Sequence, residues 1–188
     1  IILPLFLAAL FYMSDSQWRL FTLAITLLGA WEWSRIADLS HPEAVTYLLL
    51  TAALAVLLWR NPDLAPGLFW LATVFWMVAA PLWLVLLWQA QSPRLLAAVG
   101  WIVLLPTWLA LGVLREEGVG VLLGFMGVAW VADTAAYFTG KTLGRHKLAP
   151  PISPGKTWEG LAGGLIGVLL YGLALRTLPA FARVGAGL

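Results

Sequence analysis

An all-α, polytopic transmembrane helical bundle is the fold class this sequence predicts, and three observations carry it. Hydrophobic residues make up 62% of the 188 positions and charged residues 11%, at a mean hydropathy of +0.90. That leaves too little polar surface to cover a soluble globule. The apolar residues fall in long runs separated by short polar breaks, the pattern of membrane-length helices. Twelve tryptophans accompany them, suited to anchoring helix ends at the headgroup level or to packing between helices.

About seven spans follow, over residues 1–13, 17–37, 44–59, 66–89, 94–114, 119–140 and 160–178. The first would rise only about 20 Å as a helix, short of the roughly 30 Å hydrocarbon core. It is expected to be a span lacking its first turns. A signal peptide is the less favoured reading, because no basic n-region and no small-residue cleavage motif precede Asp15. The breaks at Ser14-Asp15-Ser16, Ser40-His41-Pro42, Asn61-Pro62-Asp63, Ser92-Pro93 and Arg115-Glu116-Glu117-Gly118 combine helix stops with N-cap candidates. Pro81 and Pro106 lie inside the fourth and fifth spans and should kink or interrupt them. Near the end of the second span, Glu32 stands between Trp31 and Trp33, a turn before Arg35. A structural ion pair between Glu32 and Arg35 is the leading explanation, with a contribution to a site as the alternative.

Two regions emerge: residues 1–118, with about five spans, and residues 119–188, made of a helix, a basic loop over 141–159 and a helix over 160–178. Placing that loop in the cytoplasm puts Arg35 and Arg94 on its side and Arg19, Arg60 and Arg115 on the other. The lysine and arginine bias favours this orientation. Cysteine is absent, which excludes disulfides, zinc–thiolate sites and thiol nucleophiles. A net charge of +2 is too small to indicate nucleic acid as a partner.

The second region holds most of the polar chemistry. All the lysines, Lys141, Lys147 and Lys156, fall there with Arg145, His146, Ser153, Thr157, Asp133 and Glu159, and charge placed so unevenly points to an anionic ligand. Asp133, Tyr137 and Lys141 recur at four-residue intervals, so one helical face carries them toward the membrane surface. An aspartate there needs a partner, water or a cation; the alternative to metal or substrate chemistry is an ion pair with Lys141 or Arg145. Arg145, His146 and Lys147 would lie at the interface, as a phosphate or headgroup contact or simply as solvated loop. In the run from Ser153 to Gly160, Ser153 can cap a helix, Pro154 suits its first position and Gly155 leaves backbone N–H groups open. A helix start carrying Lys156 and the Thr157 hydroxyl is a phosphate site. It is not a P-loop, since Pro150 stands where the first glycine would be required, and a helix and a proline-rich turn are expected where the preceding strand would be. His146 is a weak metal ligand, because only His41 could join it. Gly160, Gly163, Gly164 and Gly167 form a small-residue stripe for close helix packing, which would also suit a homodimer contact.

These residues closely resemble those of the phosphatidate cytidylyltransferase family, the CDP-diacylglycerol synthases. The likeness is strongest from Trp130 to Gly164, where the Ala132-to-Tyr137 block, the Gly140-to-Pro150 block and the Ser153-to-Gly164 block stand in order, and Gly29 to Trp33 is similar to the family's early helix. The resemblance implies that Asp133, Lys147, Ser153, Lys156 and Thr157 belong to a nucleotide and metal site, with Asp133 and Lys156 central to the chemistry. It implies Mg2+ as cofactor, CTP and phosphatidate as substrates, CDP-diacylglycerol and pyrophosphate as products, and the bacterial inner membrane as location. Lys141, Arg145, His146 and Gly155 are expected beside the substrate. The family's later signature, a Lys-Asp pair, a Pro-Gly-His-Gly-Gly run and an Asp-Arg, is not among these 188 residues, so the likeness covers roughly the N-terminal two thirds of a member and an inactive fragment is one reading. Ala135 stands where many members have glycine. A transporter of anionic metabolites is the other reading; a polar cluster at one end of the spans, rather than at mid-membrane, favours an interfacial enzyme.

Overall fold

The computed structural model describes residues 2–86 and 92–182; residue 1, positions 87–89 of the expected fourth span and Arg183 lie outside them. The chain divides into two compact units, residues 1–116 and 117–188.

In the first unit, helix α1 (Ile2–Tyr12) precedes α2 (Asp15–Ile36) and α3 (His41–Arg60). The expected serine caps are realised. Ser14 accepts the Gln17 N–H while the Gln17 side chain accepts the Ser14 N–H at 2.9 Å, and Ser40 donates its N–H to Glu43 at 2.9 Å, so both helices open on reciprocal capping boxes. A 3-10 turn (Pro62–Leu64) leads into α4 (Ala65–Val74), a π-helical turn (Phe75–Ala79) and α5 (Ala80–Val85). The π turn ends just before Pro81, whose missing N–H and ring disturb the ladder there. Helix α6 (Pro93–Glu117), by contrast, runs unbroken through buried Pro106.

Indoles strap this unit together. Trp18 donates to the Leu111 carbonyl at 2.9 Å, Trp33 to Leu96 at 2.7 Å, Trp108 to Arg19 at 3.1 Å and Trp101 to the Thr51 hydroxyl at 2.9 Å. A buried indole N–H must find an acceptor, and each of these finds one on a neighbouring helix. Gly100 makes room for this: a side-chain carbon there would lie 2.4 Å from the Trp33 ring and 2.3 Å from the Tyr47 hydroxyl. Ala55, Leu58, Leu105, Trp108 and Leu109 form the buried cluster. Glu32 and Arg35 pair at 3.3 Å on the surface, the structural ion pair expected from their spacing.

Arg115 binds the end of α1. Its guanidinium donates to the Leu10 carbonyl at 3.0 Å, the Met13 carbonyl at 3.1 Å and the Asp15 carboxylate at 3.2 Å. Arg115→Ala is expected to cost about 1 to 2 kcal/mol, the net worth of charge-assisted bonds that are partly solvated. A lower unfolding midpoint in detergent, not restored by Arg115→Lys with its single point charge, would show it.

The second unit contains α7 (Val119–Leu143), strands β1 (Lys147–Ala149) and β2 (Ser153–Thr157), α8 (Trp158–Leu175) and a short α9 (Pro179–Ala182). Helix α8 runs antiparallel to α7, since Gly160 meets Ala136, Gly164 meets Ala132 and the Tyr171 hydroxyl reaches Gly124. The glycine stripe is thus spent inside the chain, against α7. This is the close helix packing expected of it.

Among the described residues, five helical segments are long and apolar enough to cross a membrane: His41–Arg60, Pro62–Val85, Pro93–Glu117, Val119–Leu143 and Trp158–Leu175. Among the described residues each of the seven expected runs is largely helical, but α1 has only 11 residues and α2 carries Asp15, Arg19, Glu32 and Arg35. The all-α polytopic class stands, with one small sheet that the sequence did not announce.

Candidate functional site

The basic loop is an antiparallel β-hairpin, not an open loop followed by an early helix start. Lys147 pairs with Thr157 and Ala149 with Ser153, with a register irregularity between them. Pro154 explains both departures. It forces Ser153 out of helical backbone and has no N–H for a regular ladder, and Gly155 beyond it is a poor helix former.

The cap therefore moves from Ser153 to Thr157. Buried Thr157 accepts the Gly160 N–H on its hydroxyl at 3.1 Å, and α8 begins at Trp158. Ser153, Gly155 and Lys156 lie on the strand instead of in a first helical turn, which corrects the helix-start phosphate site. Thr157→Val is expected to cost about 1 kcal/mol, as loss of an N-cap does, and Thr157→Ser to restore it; unfolding midpoints in detergent measure both.

The hairpin and the two helices line a half-open cavity of about 690 Å³, within the size range of small-molecule sites. Helix α7 contributes Asp133, Tyr137 and Lys141, the face expected from their spacing; the hairpin contributes Leu148, Ser153, Gly155, Lys156 and Thr157; α8 contributes Gly160 and Leu161. Six predicted site residues (Asp133, Lys141, Ser153, Gly155, Lys156 and Thr157) thus line one cavity. Arg145, His146 and Lys147 do not.

The electrostatics of the wall are open. Among the described residues Asp133 makes no ion pair, so the Asp133 link to Lys141 or Arg145 considered from sequence does not form. Lys141 instead donates to the Tyr137 hydroxyl at 3.3 Å and lies 5.5 Å from that ring's centroid. Lys156 is exposed. A carboxylate and two ammonium groups around one cavity can hold a cation and the anion it bridges.

Glu159 is the residue that sequence reasoning left without a role. Its carboxylate accepts the backbone N–H of Arg145 at 3.1 Å and of His146 at 3.2 Å, and lies 2.6 Å from His146 Nδ1. The signal was a glutamate in the first turn of a helix, where the dipole favours an acid; what it would grip could not be read from its position.

A family model described as the cytidylyltransferase family matches residues 1–183. A phosphatidate cytidylyltransferase of Pseudomonas aeruginosa is 38% identical over 171 residues, covering 88% of this chain and 63% of that protein. One of Haemophilus influenzae is 30% identical over 188 residues, covering 87% of the chain and 65% of that protein. A Staphylococcus aureus protein of the same name is 48% identical over 61 residues, or 32% of the chain and 24% of that protein. The chain thus spans just under two thirds of the first two relatives' lengths. No solved structure matches. A match running along nearly the whole sequence, with helices suited to a membrane, leaves one conclusion: the chain belongs to the cytidylyltransferase family.

Proposed function

We propose that this chain carries the nucleotide-binding part of a phosphatidate cytidylyltransferase, transferring CMP from CTP to phosphatidate to give CDP-diacylglycerol and pyrophosphate. The observation that carries the reading is the single cavity holding Asp133 with Lys141, Ser153 and Lys156. A phosphatidate phosphate oxygen attacks the α-phosphorus of CTP, forming the new P–O bond as the bond to the β-phosphate bridge breaks. Pyrophosphate leaves with that electron pair. The attacking oxygen is already anionic, so no protein base is needed.

Two anionic reactants must meet, and cationic groups that neutralise them are the main catalytic requirement. Lys156 and Lys141 supply that charge, and the Ser153 hydroxyl can donate to a phosphate oxygen. Mg2+ fits the donor set: it is commonly held by one or two carboxylates with substrate phosphates and water, and Asp133 supplies a carboxylate that makes no ion pair among the described residues. When bound it would screen charge on the triphosphate and on departing pyrophosphate. Arg145 and Lys147, outside the cavity, suit contact with headgroups at a cytoplasmic face of the bacterial inner membrane. Nucleic acid is not a partner in this reading, and a homodimer would have to use a face other than the glycine stripe.

A chimera tests the reaction. These residues replace the matching segment of the Pseudomonas aeruginosa relative, and CTP- and phosphatidate-dependent release of pyrophosphate is measured with and without Mg2+. Turnover that requires both substrates, and falls in chimeras carrying Lys156→Ala or Asp133→Ala, supports the assignment. A folded chimera without turnover refutes it.

A further inference from the structure

Glu159 is not in the cavity wall, yet its carboxylate gathers the segment that carries the wall. It stands in the first turn of α8, two positions beyond the Thr157 cap and three beyond Lys156. One oxygen, Oε2, accepts the N–H of Arg145 and of His146, at 3.1 and 3.2 Å; the other, Oε1, lies 2.6 Å from His146 Nδ1. The neighbouring Trp158 N–H donates to the His146 carbonyl at 3.0 Å. Residue 146 is therefore held at its amide, its carbonyl and its ring by the first two residues of α8.

We propose that Glu159, with His146, is a positioning clamp: it closes the two ends of the hairpin onto one point, so that Ser153 and Lys156 stand in one cavity with Asp133. The inference rests on the nucleotide reading of that cavity and deepens it, naming residues that touch no ligand but set where ligand-facing groups stand. The hairpin needs such a lock. Its ladder is short and irregular, and contacts to phosphates are lost with displacements of about an ångström. A carboxylate also suits this helix end, because the dipole holds it there. A glutamate that merely anchored a helix end would affect stability and leave ligand affinity alone.

Glu159→Ala, Glu159→Gln and His146→Ala are compared with the wild-type chain in detergent by CTP titration with Mg2+ and by amide hydrogen exchange over residues 145–149. Glu159→Ala is expected to raise the CTP Kd about tenfold or more, in line with the sensitivity of bound geometry to small misplacements, and to speed exchange at 145 and 146. Glu159→Gln, whose amide oxygen still accepts an N–H, should recover most of the affinity, with His146→Ala between the two. Wild-type CTP affinity in Glu159→Ala overturns the clamp, as does a Gln variant no better than Ala. Where Glu159→Ala is lost in extraction, His146→Ala decides, and wild-type affinity there overturns it. If the wild-type chain binds no CTP, the nucleotide reading falls; unchanged exchange at 145 and 146 in Glu159→Ala then overturns the clamp separately.

Discussion

Lys156→Ala is expected to weaken CTP binding by about ten- to a hundredfold, the loss of one charge-assisted contact worth roughly 1.5 to 3 kcal/mol, while the unfolding midpoint stays where it was. Both halves follow from where the residue stands. Lys156 lines the cavity from β2 and is exposed, and among the described residues it forms no ion pair. Truncating it orphans no buried group, so the fold has no reason to respond. A phosphate in the cavity, by contrast, loses an ammonium that no other side chain on the strand supplies. Lys156→Arg should recover part of the affinity, because it keeps the charge but presents a planar fork in place of a compact ammonium. Calorimetric titration of CTP with Mg2+ into wild type and both variants reads the effect. Equal affinity in Lys156→Ala would place the polyphosphate elsewhere.

How much of this could be read from residues alone varied by element. The helices were legible because apolar runs of membrane length leave no other economical structure, and Ser14 and Ser40 cap as serines before helical runs do. The shared face of Asp133, Tyr137 and Lys141 followed from helical periodicity, and the cavity uses it. The segment from Ser153 to Thr157 was harder. It contains every ingredient of a helix start, but two residues compete for the cap, and Pro154 decides against Ser153 through a local steric effect on the residue before it. Thr157 wins the cap because its side chain is buried between the end of α7 and the start of α8, a tertiary fact. The same holds for Glu159, whose partners lie 13 and 14 positions away, and for the indoles, whose acceptors are remote in sequence. Spacing predicts which residues share a face; it does not predict what a long-range polar group will find.

The glycine stripe carries the largest expected effect on stability. A side-chain carbon at Gly167 would lie 2.7 Å from Ala135 Cβ, and one at Gly163 would lie 2.1 Å from the Thr139 hydroxyl oxygen. Neither Ala135 Cβ nor the branched Thr139 can swing aside as a long side chain would, so accommodating a methyl group means moving α8 away from α7. Overpacking of this kind costs about 1 to 3 kcal/mol, occasionally more, and both helices wall the cavity, so affinity should fall with stability. Gly172 is the internal control: it lies on the same helix with nothing among the described residues within 4 Å of a would-be side chain. Gly172→Ala should be neutral or slightly stabilising, since alanine is the better helix former by about 1 kcal/mol. Ala135 allows a sharper test. If the clash at 167 is with its methyl group, Ala135→Gly should rescue Gly167→Ala, returning the steric cost and leaving only the helix-propensity penalty of the new glycine. Thermal unfolding of the two single variants and the double variant in detergent closes the cycle. A double variant that melts at the sum of the single losses would mean that the helices touch somewhere else.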